Sequence, residues 1–200
     1  MKLGFAAVLL ASVAQASPKC PSPRIHTSRS LAAAKDSLAS VPPQAAPELE
    51  NRGAAFFVDV PFTATFDELH DLGLGIEVHA GEFAGAESVR AALRCARPHR
   101  LGHAIAAFSD QALVAEIAER DIHVEFCPSS NLALGVVRSL AEHPIGRARD
   151  VAFSINTDDP GPFACSLTSE LELAARTFGF DHADLERIFE NTMRAAFRGR

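Results

Sequence analysis

From residue 54 onward, short apolar runs alternate with longer amphipathic stretches. The runs 54–60 (AAFFVDV), 74–79 (LGIEVH), 100–104, 122–127 (IHVEFC) and 151–156 (VAFSIN) predict five strands. Short continuous apolar runs bounded by turns suit strands buried on both faces of a parallel sheet. The stretches 63–72, 85–96, 109–120, 135–147 and 166–178 predict helices, and a last one over 182–197 has Asp181 as its N-cap. In the third of these, Leu113, Val114, Ile117 and Ala118 recur at helical spacing, which lays one face on the sheet. Strands alternating with helices imply βαβ units with right-handed crossovers, an α/β fold. Five strands leave two open edges, and an open edge invites a homo-oligomer.

Ahead of this region the texture changes. Lys2, the apolar run Leu3 to Val13 and the A-x-A site Ala14-Gln15-Ala16 predict a secretory signal over 1–16, and so a secreted or periplasmic protein. The alternative is an accidental Ala-rich start on a cytoplasmic chain. The run is too short to span a bilayer, so no membrane partner is expected. Residues 17–53 hold six of the twelve prolines, at 18, 21, 23, 42, 43 and 47. Proline removes a backbone donor, and this stretch is expected to be disordered. The expected organisation is therefore a signal-like 1–16, a Pro-rich 17–53 and one folded domain over 54–200.

Composition narrows the partners. A 48% apolar, 22% charged chain is ordinary globular protein, and a net charge of −6 argues against nucleic acid, leaving a small molecule as the expected ligand. Four cysteines (20, 95, 127, 165) form no CxxC pair, so structural thiols rather than disulfides are expected. With no Trp and no Tyr, Phe must supply the aromatic packing.

Four segments place ionisable groups just after strand-like runs: His79-Ala80-Gly81-Glu82, Leu101-Gly102-His103, Cys127-Pro128-Ser129-Ser130-Asn131 and Asn156-Thr157-Asp158-Asp159-Pro160. Barrels of alternating strands and helices build their sites from the carboxyl ends of successive strands. Each segment has a structural reading by itself: His79 as a hydrogen-bonded strand end, His103 as a cap, Asp158-Asp159 as a turn before proline. Two adjacent carboxylates repel unless a cation or substrate compensates them, however, and four such segments in order describe a site. Cys127 to Asn131 reads as a tight turn that shapes the pocket. His99 and His123 read as packing or surface residues, and His70 and His143 receive no role.

These segments resemble the metal-dependent adenosine deaminase family (adenosine, adenine and AMP aminohydrolases), whose HAGE, LGH, CPSSN and NTDDP motifs stand here in the family's order. The resemblance runs from about Ala54 to Arg200 and is strongest from Gly75 to Phe197. It implies a partial TIM (β/α) barrel whose five strands correspond to the family's strands four to eight. It also implies a zinc-dependent hydrolase that deaminates adenosine, or a related 6-aminopurine, with a metal-activated water. On this resemblance His79 and Asp158 are metal ligands, Glu82 carries a proton to the purine N1, and His103 orients and deprotonates the water. Asp159 accepts a hydrogen bond at N7 and, with Gly81, contacts the purine nucleoside. The Gly161 after NTDDP looks closer to adenosine deaminases than to adenine deaminases.

The family's first strand carries a His-x-His metal pair, and no two histidines here are two apart. With two recognised ligands, weak zinc binding is expected, because catalytic zinc generally takes three. An inactive remnant serving as a binding or dimerisation module is the alternative; a related amidohydrolase acting on another amine is a third reading, disfavoured by Glu82 between His79 and His103. The zinc deaminases of cytidine and tRNA are excluded, since the P-C-x-x-C that must follow their H-x-E does not occur.

Overall fold

The computed structural model describes residues 63–197. The signal-like 1–16, the Pro-rich 17–53 and the strand expected over 54–60 lie outside the described residues. Within them the chain runs α1 (Thr63–Asp71), β1 (Glu77–Ala80), α2 (Gly85–Cys95), β2 (Arg100–His103), α3 (Gln111–Glu119), β3 (His123–Phe126), α4 (Pro128–Ala133), β4 (Phe153–Ile155), α5 (Leu167–Phe178) and α6 (His182–Ala195). The four strands form one parallel sheet in the order β1-β2-β3-β4. This is the expected partial (β/α) barrel, with each strand–helix unit beside the one before it.

Helix boundaries follow local chemistry. Asp110 caps α3 by accepting from the N–H groups of Ala112 and Leu113, leaving Leu113 and Ile117 fully buried. Asp181 caps α6 as expected, in a reciprocal capping box with Asp184. The helix expected over 135–147 is absent. Pro128 starts the short α4 instead, Gly135 ends it at φ +71, and two single 3₁₀ turns follow at Leu140–Glu142 and Pro144–Arg147. Proline fits a helix's first turn but not its interior, so Pro144 opens a turn where the apolar spacing suggested continuation.

The strands are largely buried on both faces, as expected, but only one of the two faces is apolar. Val78, Ala80, Leu101, Val124 and Phe126 point to a core closed by Val89 and Leu93 of α2 and by α3. The register sets Glu77 beside Arg100, His79 beside Gly102, Gly102 beside Glu125 and Glu125 beside Ser154. Side chains alternate along a strand, so this second face is polar and carries charge. Cys95 is disulfide-bonded, which corrects the expectation of thiols throughout, while Cys127 and Cys165 are free. No helix among the described residues is long and apolar enough to cross a membrane.

Candidate active site

The polar face and the carboxyl ends of the strands meet in a cavity of about 390 Å³, lined among others by His79, His103, Cys127 and Asp158. His79 stands on β1 over a gap left by its neighbour. A Cβ on Gly102 would lie 2.3 Å from His79 Cδ2 and 2.9 Å from Nε2, so only glycine leaves room for this imidazole. Its ring meets that of His103 edge-on, with centroids 5.0 Å apart.

Gly81 turns the chain out of β1 at φ +75, a left-handed conformation natural to glycine. Its N–H donates to Ser88 Oγ at 2.7 Å and its carbonyl accepts from Ala106 N–H at 2.8 Å. This turn brings Glu82 beside His103 and Asn131. His103 and Ala104 end β2 at φ +62 and +50, and Asp158 sits after β4 at φ +56. Left-handed non-glycine residues cost about 1–2 kcal/mol each and concentrate where geometry serves function. The bend brings His103 Nδ1 to 3.5 Å from Glu82 Oε1 and Nε2 to 4.0 Å from Asp158 Oδ2. Asp159, the remaining candidate, is exposed and is not among the residues lining the cavity; its carbonyl accepts from Phe163 N–H.

Burial divides the protons unevenly. Desolvation, then the nearby Asp158 carboxylate, raises Glu82 to about 7. Desolvation, then the charge of His79, lowers His103 to about 4. His103 is therefore neutral at pH 7, and its approaches to Glu82 and Asp158 are polar contacts rather than ion pairs. The hydrogen bond with Glu77 raises His79 and, reciprocally, lowers Glu77 to about 2. Deeper in, desolvation raises Glu125 to about 7 beside Glu77, and Arg100 pairs with both carboxyl groups. Burial, then Asp158, pushes the Cys127 thiol up.

Ligand atoms of His103, Cys127 and Asp158 lie within 4.8 Å of one another. Imidazole, thiol and carboxylate are the donor types of zinc sites. The raised Glu82 beside Asp158 marks excess negative charge that a cation would relieve. The residues present therefore fit a divalent metal. His79, the histidine ligand implied by resemblance, lies outside that group of three but shares the cavity with it.

Several residues that hold the site escaped the sequence reading. Ser130 Oγ donates to Asp158 Oδ2 at 2.7 Å. Asn131 Nδ2 reaches Glu82 Oε1 at 3.3 Å and His103 Nδ1 at 3.2 Å. The turn expected at Cys127–Asn131 is thus the first turn of α4, and its polar side chains orient the carboxylates and the imidazole. Glu170 of α5, 1% exposed, accepts from both the N–H and the hydroxyl of Ser129. His143 is also buried, with Nε2 3.2 Å from Asn131 Oδ1. The polar run after β3 was a signal for Ser130 and Asn131; a glutamate one turn before Ala174 on the buried face of α5 was the signal for Glu170. Nothing local marked His143.

Comparison with known proteins gives one consistent answer. Residues 45–199 match the family model described as adenosine deaminase. An adenine deaminase of Rhizobium johnstonii is 44% identical over 138 residues, covering 68% of this chain and 43% of that protein; one of Sinorhizobium medicae is 41% identical over the same shares. Among solved structures, the adenine deaminase of Arthrobacter aurescens matches with a TM-score of 0.65 at 25% identity, covering 70% of this chain and 43% of that one. A Burkholderia ambifaria amidohydrolase with bound zinc matches with a TM-score of 0.64 at 25% identity, covering 72% and 41%. The chain thus spans less than half the length of the curated relatives it matches.

Proposed function

Because the chain belongs to the adenosine deaminase family, we propose that its cavity serves the hydrolytic deamination of a 6-aminopurine, with adenine preferred to adenosine. Water adds at the ring carbon bearing the exocyclic amine, the C–N bond breaks, and ammonia leaves a ring carbonyl behind. The preference for adenine takes its support from the relatives, which are named adenine deaminases.

One observation carries the reading: Glu82, near 7, lies 3.5 Å from His103, which lines the cavity and stands near 4. Two neighbouring groups whose environments push their proton affinities apart take different roles, here a proton donor and a neutral anchor for water. Glu82, raised to about 7 and so still partly protonated at neutral pH, delivers a proton to the purine N1. His103, neutral and buried, orients the attacking water. Asp158 and His79 hold zinc, with Cys127 a further donor beside Asp158, and the exposed Asp159 accepts from the base at N7. Gly81, its backbone already bonded, sets the angle at which Glu82 meets the substrate. Zinc, when bound, supplies a water acidified from about 15.7 towards about 7.

The test is zinc content by elemental analysis of the purified full chain, with loss of adenine and of adenosine followed in the ultraviolet in the same sample. About one zinc per chain with adenine turnover supports the reading. A zinc-loaded chain that turns over neither purine ends it. A second reading, an inactive relative that keeps the fold and the network, is favoured by the absence of a His-x-His pair. Traces of zinc and no turnover support that one.

The role of His79 has its own check. Gly102→Ala puts a methyl group where the His79 ring stands, and zinc affinity is expected to fall about 10–100-fold, the range for a disturbed ligand support. Titration with zinc against a chromophoric chelator measures it, and an unchanged affinity removes His79 from the ligand set.

A further inference from the structure

Deepening that reading, and resting on it for the catalytic consequence alone, we propose that His143 is a positioning residue that fixes, through Asn131, which nitrogen of His103 carries the proton. The argument begins at a group whose polarity is not in question. A backbone N–H can only donate, and the Ile145 N–H points at His143 Nδ1 at 3.2 Å. His143 Nδ1 is therefore the acceptor, and the ring proton sits on Nε2. Burial, which lowers His143 to about 4, agrees with a neutral ring.

Each following step is forced by the one before. His143 Nε2–H faces Asn131 Oδ1 at 3.2 Å, which makes that atom the amide's oxygen. The amide's other end must then be its NH₂, a donor of two hydrogen bonds. Two acceptors wait there: Glu82 Oε1 at 3.3 Å and His103 Nδ1 at 3.2 Å. Accepting from Asn131 leaves His103 Nδ1 unprotonated, so its proton stands on Nε2, the nitrogen 4.0 Å from Asp158. A proton on Nδ1 would face the amide hydrogens head-on.

The relay is built to hold. Asn131 is fully buried, His143 is 3% exposed, and the His143 ring is clasped by Phe126 and Phe178, with centroids at 5.3 and 6.1 Å. In this environment a reversed amide sets its NH₂ against the His143 N–H and its oxygen against both acceptors, each buried mismatch costing about 1–3 kcal/mol.

The experiment reads the tautomer directly. Full-length chain labelled with ¹⁵N in the histidine rings is observed by long-range ¹H–¹⁵N correlation at pH 7, where the two neutral tautomers give opposite patterns of ring-nitrogen shifts. Parent protein is expected to show His103 and His143 both protonated on Nε2. His143→Phe keeps the ring volume and removes the relay's first donor, so His103 should become a tautomer mixture. His143→Gln, whose amide can still donate to Asn131, should restore the single form. Asn131→Asp offers only acceptors and should move the His103 proton to Nδ1. If the parent shows His103 protonated on Nδ1, or if His143→Phe and Asn131→Asp both leave its pattern unchanged, the inference is overturned.

Turnover in the same samples separates the two claims. In an active enzyme His143→Phe should lower kcat about 10–100-fold with KM little changed, and His143→Gln should recover most of it. The predicted tautomers with no purine turnover would count against the deaminase reading alone. Full turnover of His143→Phe with an unshifted tautomer would count against His143 alone.

Discussion

Glu82→Gln is expected to lower kcat for adenine deamination about 10²–10⁴-fold, the contribution of one placed proton donor. Glutamine matches glutamate in shape, and its amide oxygen can still accept from Asn131, so the site should keep its form and lose only the transferable proton. The pH profile gives the sharper reading. Because burial and Asp158 raise Glu82 to about 7, the group is protonated below that pH and loses its proton above it. The acid needed for the reaction is thus present on the acidic side, and kcat/KM should fall as pH rises through about 7. In Glu82→Gln that alkaline fall should disappear, the residual rate running flat. Steady-state kinetics from pH 5 to 9 measure both, with zinc content checked at each end of that range. A variant within a few-fold of the parent, or one that keeps the alkaline limb, would falsify the assignment.

The largest loss of stability is expected from Glu170→Ala. The N-cap residue of α4, Cys127, makes no side-chain capping bond. Glu170 supplies one across space, from 41 positions later, by accepting the Ser129 N–H at 3.0 Å and the Ser129 hydroxyl. Truncation strands both donors and leaves a space in a buried site, and each unsatisfied donor costs about 1–3 kcal/mol. A total near 3 kcal/mol is expected, a large share of the roughly 5–15 kcal/mol by which a domain is stable. Glu170→Gln keeps one acceptor oxygen and should cost about 1 kcal/mol. Urea unfolding followed by circular dichroism gives the midpoints and slopes. A loss below about 0.5 kcal/mol for Glu170→Ala, typical of surface substitutions, would show that α4 holds itself. Because α4 also carries Ser130 and Asn131, a loosened α4 should release Asp158, Glu82 and His103 together.

What the sequence reveals of this site divides by distance along the chain. The positions of His79, Glu82, His103 and Asp158 were legible because each lies within three residues of a strand's carboxyl end, so a local run of apolar positions announces it. The cap Asp181 was legible because it stands directly before its own amphipathic run, whereas the cap Asp110 emerges only in the fold. The run IHVEFC reads as continuously apolar only if His123 and Glu125 are overlooked. Those two residues, with Glu77 and Arg100, make the inner face polar, and they sit at the alternate positions that a strand sends to one side. The apolar spacing over 135–147 is helical, yet Pro144 and Gly135 override it. Asn131 with His143, and Ser129 with Glu170, are pairings made by the fold. Neither partner's surroundings in the sequence point to the other.

The strand order carries a consequence for how the site comes into being. Since each strand pairs with the one made just before it, a chain emerging from the ribosome can lay down β1, β2 and β3 in turn, without waiting for distant segments. His79, Glu82 and His103 are all in place by then. Their fasteners are not: Asn131, His143, Asp158 and Glu170 are synthesised later, and each binds backward onto an element already formed. Until they dock, Glu82 and His103 face water and hold their protons as free side chains do. The shifted proton affinities are therefore a property of the last folding step, and a nascent or partly unfolded chain carries the same residues without them.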